Sequence, residues 1–155
     1  MKGNAKIIQV LNEQLSEELT AVNQYMVHSE MCANWGYVRL HEIIEKRAID
    51  EMKHAEKLIA RILFLEGQPI VSVLQKINIG AAVETQIKND WESEKEAITT
   101  YNDAIRLSME LGDNGTRELF DAILVDEEAH IDQLEEQLDQ IQQVGIQNFL
   151  LGQMS

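Results

Sequence analysis

The sequence has a single cysteine, Cys32, so no disulfide can close within the chain. One proline, Pro69, and eight glycines leave little to interrupt regular structure, and aromatic residues make up only 5%. The β-branched alternation of half-buried strands is scarce, so long helices are the expectation. Basic residues are also few: 13 against 27 acidic ones, a formal net charge of −14 in 155 residues. Nucleic-acid or anionic-membrane partners call for basic patches, so neither is expected. No apolar run reaches transmembrane length, and no signal-peptide pattern follows Met1-Lys2-Gly3-Asn4. The cytoplasm is the expected compartment. Residues 1–155 read as one domain without linkers, and a hydrophobic fraction of 45% can fill a sizeable core.

What the chain does have is an internal repeat. Glu18, Glu51 and His54 recur 76 residues later as Glu94, Glu127 and His130. Asp50-Glu51-x-x-His54 maps onto Asp126-Glu127-x-x-His130, Tyr25 onto Tyr101, Glu42 onto Glu118, and Gly36 onto Gly112. Each half thus supplies one isolated Glu and one Glu-x-x-His. On helices, that is the recipe for a carboxylate-bridged dinuclear metal site inside a four-helix bundle.

The periodicity places these residues on helices. Helix A is expected over about Asn4–Asn34, with Leu11, Leu15, Glu18, Val22 and Tyr25 on one stripe. Helix B, about Tyr37–Leu65, aligns Leu40, Ile44, Arg47, Glu51, His54, Leu58 and Leu65, and Gly67-Gln68-Pro69 should stop it. Ile70 to Gly80 is apolar without a period and reads as a long ordered crossover. It is expected to let the second half start again in the direction of the first. Helix C is expected over about Ala82–Leu111 and helix D over Arg117–Val144, with Thr116 as N-cap. Ile146 to Met154 is a short apolar tail, read as a fifth helix.

All six candidate ligands fall on apolar stripes, whereas Glu17, Glu92 and Glu96 do not and are expected in solvent. A core carboxylate is costly unless paired, hydrogen-bonded or metal-bound, and two divalent cations would offset four of them. Residues i and i+3 share a helix face, so each Glu-x-x-His can offer a bridging carboxylate and an imidazole. Glu18 and Glu94 would each add a terminal carboxylate. Oxygen ligands with one imidazole apiece suit iron or manganese, and zinc stays possible. Tyr25 and Tyr101 lie two turns beyond Glu18 and Glu94. Their plain role is core packing with the hydroxyl on a buried carboxylate; the sharper one is a redox-active or ligand-orienting phenol. Cys32 reads as inert, and His28 and His41 as solvated. Ala48, Ile49, Met52, Ala55 and Ile59 form a second apolar face on helix B, expected to meet another subunit.

The chain resembles the bacterioferritins over essentially its whole length. The resemblance is carried by the opening Met1-Lys2-Gly3, by Asn23-Gln24-Tyr25 and Asn34-Trp35-Gly36, and by Ile49-Asp50-Glu51-Met52-Lys53-His54-Ala55. It continues in Arg61-Ile62-Leu63-Phe64-Leu65-Glu66-Gly67, Asn78-Ile79-Gly80, Asp126-Glu127-Glu128-Ala129-His130-Ile131-Asp132 and Gly145-Ile146-Gln147-Asn148. It implies an all-α, ferritin-like four-helix bundle assembled as a hollow cage of twenty-four subunits. Each subunit would carry two iron ions at a ferroxidase centre of Glu18, Glu51, His54, Glu94, Glu127 and His130. That centre would oxidise Fe(II) with O2 or hydrogen peroxide, the ferric mineral being stored in the cavity. Haem b, one per two subunits, would take an axial methionine from each, and Met52 stands at the matching position. A ferredoxin-type reductant would release the iron. The chain departs from some relatives at Lys46-Arg47, where they place inner-wall ligands. Leu58 and Gln133 are not aromatic, which leaves Tyr25 as the candidate electron donor. The rivals are a rubrerythrin-like peroxidase, whose usual rubredoxin module needs more than one cysteine, a longer ribonucleotide-reductase-type radical subunit, and a non-enzymatic haem- or metal-binding protein.

Overall fold

The computed structural model describes all 155 residues. Four long helices, α1 (Ala5–Asn34), α2 (Val38–Phe64), α3 (Val83–Glu110) and α4 (Asn114–Val144), precede a short α5 (Ile146–Leu151), and there is no strand. This is the all-α, ferritin-like four-helix bundle that the resemblance implies. No helix is long and apolar enough to cross a membrane.

The hairpin turns repeat as the sequence does. After α1, the Gly36 amide bonds to the Ala33 carbonyl and the Tyr37 amide to that of Cys32; after α3, Gly112 and Asp113 do the same to Met109 and Ser108. Gly36 and Gly112 have φ of 84° and 71°, which a side chain would oppose. The end of α2 differs from expectation. Glu66, not Gly67, takes the left-handed conformation, at φ 61°. Gly67 is instead needed for close approach, since a Cβ there would lie 2.8 Å from the Ile8 side chain. The start of α4 also differs. Asp113 caps it, accepting from the Thr116 amide at 3.0 Å, and Arg61 holds the same carboxylate at 2.9 Å. A charged carboxylate suits the positive end of the helix better than the Thr116 hydroxyl, which itself donates to Asp113.

The crossover corrects the expected direction of the second half. It runs along α1 from Asn12 to His28, so α3 starts beside the end of α1 and runs antiparallel to it. Thr100 bonds to Glu17, Tyr101 to Glu18, Tyr25 to Glu94 and Gln24 to Asp90: numbers on α3 fall as those on α1 rise. The physical reason is length. An extended segment of this size spans roughly the whole bundle and returns the chain to the end that α2 started from. The two halves are therefore related by an approximate two-fold axis across the bundle.

The crossover backbone is held by polar side chains at every fourth position of α1. Asn12 accepts from the Ile70 amide at 2.8 Å, Ser16 donates to the Val73 carbonyl at 2.7 Å, and Thr20 accepts from the Gln75 amide at 2.8 Å. Gln24 accepts from the Asn78 amide at 3.1 Å and His28 from the Gly80 amide at 3.0 Å. An i, i+4 line lies on one helix face, so one stripe can satisfy an extended strand that has no sheet partner. His28 was expected in solvent; it is 0% exposed because this strand covers it.

The apolar core is in two parts. One cluster holds Ile7, Leu11, Leu15, Leu58, Ile62 and Phe120; the other holds Tyr25, Leu40, Ile44, Ile87, Leu134 and Phe149. Between them lies a layer of buried ionisable side chains. Phe149 puts α5 into the core of its own chain, so of the tail's large apolar side chains only Leu151 and Met154 stay exposed for another subunit. The second face of α2 is narrower than expected: Ala48 and Ala55 are buried in the bundle, while Ile49 and Met52 remain exposed.

Candidate metal centre

The six stripe residues converge in the layer between the two cores. Glu18, Glu51, His54, Glu94 and Glu127 are 0–2% exposed, and His130 is 9% exposed. Two groups of facing ligand atoms result, each within 4.8 Å of one another: Glu18, Glu51, His54 and Glu127, and Glu51, Glu94, Glu127 and His130. Glu51 and Glu127 belong to both. His54 Nδ1 lies 2.9 Å from Glu127 Oε1 and 3.5 Å from Glu18 Oε2; His130 Nδ1 lies 2.9 Å from Glu51 Oε1 and 3.4 Å from Glu94 Oε1. The imidazole centroids are 6.3 Å apart.

Four further polar atoms of these residues are held from outside, and by the opposite half of the chain. Tyr25 donates to Glu94 Oε1 at 2.7 Å, and Tyr101 to Glu18 Oε1 at 2.5 Å. His54 Nε2 meets Asp126 at 2.8 Å, and His130 Nε2 meets Asp50 at 3.1 Å. An ionised carboxylate can only accept, so each Nε2 carries a hydrogen and Nδ1 is the nitrogen turned to the interior. Asp50 and Asp126 had no assigned role in the sequence. Their place in the duplicated Asp-Glu-x-x-His was the available signal.

What lacks a partner is informative. Glu18 Oε2, Glu51 Oε1, His54 Nδ1, Glu94 Oε2, both Glu127 oxygens and His130 Nδ1 are buried without a hydrogen bond. Buried polar atoms in native proteins are nearly always satisfied. Four carboxylates and two imidazoles aimed at two shared points fit two divalent cations, with mixed oxygen and nitrogen donors suited to iron or manganese.

The electrostatics agree. Burial, then the charges of Glu18, Glu127 and Glu94, push the Glu51 carboxyl well above the usual range. Burial and the charges of Glu94 and Glu18 do the same to Glu127. Glu94 goes the other way: burial would raise it, but its contacts with Glu127, His130 and Tyr25 outweigh that. Burial opposes the charged form of His54, yet Glu127 and Glu18 facing it bring its pKa up to about 11. Without metal, protons take up part of the charge that cations would otherwise balance.

The other expected residues lie apart from the centre. Met52 is 43% exposed on α2. Arg47 is buried, within 3.5 Å of Asp90 and 3.3 Å of Gln133, with Tyr25 stacked beneath it at 5.5 Å, so only Lys46 of that pair is open to solvent. Leu58 is core. Burial raises the Cys32 thiol to about 11, in keeping with an inert role. Glu92 and Glu96 are exposed as expected. Glu17 is not: it is half-buried, accepts from Thr100 at 2.7 Å, and burial raises it to about 7. It sits one residue before Glu18, where the approach of α3 shuts out water.

Comparison with known proteins bears on the whole chain. The family described as Ferritin-like domain matches residues 8–144. The chain is similar to a protein named bacterioferritin from Brucella melitensis, 41% identical over 155 residues, covering 100% of this chain and 95% of that one. It is similar to bacterioferritins from Rhodobacter capsulatus, 39% identical over 97% of this chain and 94% of the relative, and from Mycolicibacterium paratuberculosis, 42% identical over 95% and 92%.

Proposed function

Since this chain belongs to the ferritin-like family, and within it to the bacterioferritins, we propose that it stores iron by oxidising Fe(II) at the buried carboxylate layer. Iron storage is the function its relatives support. The observation that carries the ferroxidase reading is the set of seven unpartnered buried ligand atoms, which divide into two groups sharing Glu51 and Glu127.

In this reading two ferrous ions would share Glu51 and Glu127, with Glu18 and His54 completing the ligands of one and Glu94 and His130 those of the other. Tyr101 and Tyr25 each occupy one oxygen of a terminal glutamate and turn the second inward. Asp126 and Asp50 fix the imidazoles with Nδ1 turned inward, where it would meet the iron. Each ferrous ion would supply one electron, so the pair could reduce O2 to hydrogen peroxide, or hydrogen peroxide to water, with two protons taken up from solvent in either case. The ligand carboxylates line a cavity of about 160 Å3, whose wall also carries Glu17, Glu92 and Glu96. These acidic side chains favour cations over anions along that approach. Tyr25, 2.7 Å from Glu94, would be the candidate electron donor of the centre.

A twenty-four-subunit cage would hold the ferric mineral, with the exposed Ile49, Met52, Leu151 and Met154 on faces between copies. Haem b would sit between two subunits with Met52 of each as axial ligand. The open thioether beside Ile49 fits this, because soft sulfur suits haem iron. A ferredoxin-type reductant would release the iron, and the cytoplasm would be the compartment.

Fe(II) added aerobically should be oxidised with oxygen uptake, fast for the first two ions per subunit. Oxidation no faster than in buffer alone would leave a passive metal- or haem-binding protein as the better reading. Met52→Leu should remain assembled and oxidise iron while losing the haem spectrum.

A further inference from the structure

We propose that Glu30, His41 and Glu45 form a separate site for one divalent transition-metal ion, at the end of the bundle where α1 turns into α2. One ligand atom of each lies within 4.8 Å of the other two. His41 and Glu45 are one turn apart on α2, and Glu30 comes from near the carbonyl end of α1, where negative charge is disfavoured.

The imidazole decides the chemistry. His41 Nδ1 is 3.1 Å from the Ser29 carbonyl oxygen, which can only accept. It is also 2.9 Å from Ser29 Oγ, whose own hydrogen goes to the His41 carbonyl at 3.2 Å. Nδ1 therefore carries the hydrogen, and in the neutral ring the lone pair is on Nε2. Nε2 is the atom beside Glu45, 3.6 Å from its Oε2 and too far for a hydrogen bond. Neither glutamate makes an ion pair with lysine or arginine; the histidine is the only partner of Glu45. With the ring neutral, three electron-pair donors thus face one another.

The arrangement repeats, with different partners, what is seen in the buried layer. There Asp126 and Asp50 hold the outer nitrogen of an imidazole and leave the inner one free; here a backbone carbonyl does so, a common support for a metal-bound histidine. One imidazole nitrogen and two carboxylate oxygens leave positions for water and suit Zn(II), Fe(II), Co(II) or Mn(II). The His41 side chain is 23% exposed, so an ion held here exchanges with solvent, unlike one in the closed layer. His41 was expected to be solvated and without a role; the contact with Ser29 across the hairpin, invisible in the sequence, removes its freedom.

The proposal does not depend on the ferroxidase reading, and zinc separates the two. The assembled protein, stripped of metal and dialysed against micromolar Zn(II), should bind three ions per subunit, two in the buried layer and one here. His41→Ala should bind one fewer. Glu30→Gln with Glu45→Gln, which keeps the Ser29 contact, should do the same, and both variants should oxidise Fe(II) at the unaltered rate. Glu94→Ala should lose zinc from the layer and keep the outer ion. Anomalous diffraction from zinc-soaked crystals should place that ion against His41 Nε2. No zinc there in the unmodified protein, or full retention in both outer-site variants, would overturn the proposal.

Discussion

Two clusters of ionisable side chains are buried in this bundle, and they are opposites. In the first, Asp90 accepts from Gln24 at 2.9 Å and His28 at 2.8 Å, and lies 3.5 Å from Arg47; all four residues are 0–2% exposed. His28 passes the network on to the Gly80 amide, and only Arg47 Nε lacks a partner. In the second, the Glu18–Glu51–His54–Glu94–Glu127–His130 layer, seven atoms lack one. Burial is alike in the two, but the first balances its carboxylate against Arg47 while the second gathers four carboxylates around two imidazoles. Closure of the hydrogen bonds differs too, and it separates a structural buckle from a binding site.

The largest expected effect would test the open layer. Glu94→Ala or His130→Ala should abolish the fast phase of Fe(II) oxidation while the protein still assembles, as read by stopped-flow absorbance and size-exclusion mass. Rates equal to the unmodified protein would remove these residues from the centre.

Stability should then divide the clusters by sign. Asp90→Ala leaves Arg47 and His28 buried without an anion and should cost about 3–5 kcal/mol in urea unfolding. Glu51→Leu, measured without metal, should be neutral or stabilising, by up to about 4 kcal/mol, because it relieves a carboxyl raised by its neighbours. A loss in Glu51→Leu as large as in Asp90→Ala would erase the distinction.

Proton competition sharpens it further. Metal must displace the proton that Glu127 and Glu18 hold on His54, whose pKa is about 11. Zn(II) affinity should therefore keep rising with pH through neutrality and beyond, not level off above the ordinary histidine value of about 6.5. The stability sign is the reverse. A raised histidine stabilises the metal-free fold below about pH 6.5, and that contribution fades as pH climbs toward 11. Isothermal titration at several pH values, with thermal unfolding of the metal-free protein alongside, would read both trends.

The smallest effect concerns Glu17 at the edge of the layer. An acid raised to about 7 by burial is favoured protonated in the folded state, so stability falls as pH rises from about 4.5 to 7. Glu17→Gln keeps an acceptor for Thr100 and should flatten that slope, with a slightly higher melting temperature at pH 8 and little change at pH 4.

Much of this was legible in the linear chain because helices convert spacing into direction. Residues three, four and seven apart share a face, so the apolar stripes marked the four long helices. The copied Glu and Glu-x-x-His put six ligand-type residues in one phase. Gly36 and Gly112 marked two turns because a positive φ strongly favours glycine. Periodicity says nothing about which helix lies opposite which, or how it points, and the direction of α3 was misjudged for that reason. The crossover's fate was hidden as well: Asn12, Ser16, Thr20, Gln24 and His28 look like an ordinary polar face until an extended strand is laid on them.

By itself, then, the sequence determined the local terms: helix extent, the stripe each ligand-type side chain occupies, and the pseudo-repeat that doubles them. Only the tertiary structure decided the pairings across helices. It set Asp126 on His54 and Asp50 on His130, Tyr101 on Glu18 and Tyr25 on Glu94, Asp90 among three donors, and Ser29 on His41. Those contacts join residues of different helices. They depend on crossing geometry and on which groups are left without water, quantities that exist only once the helices have packed.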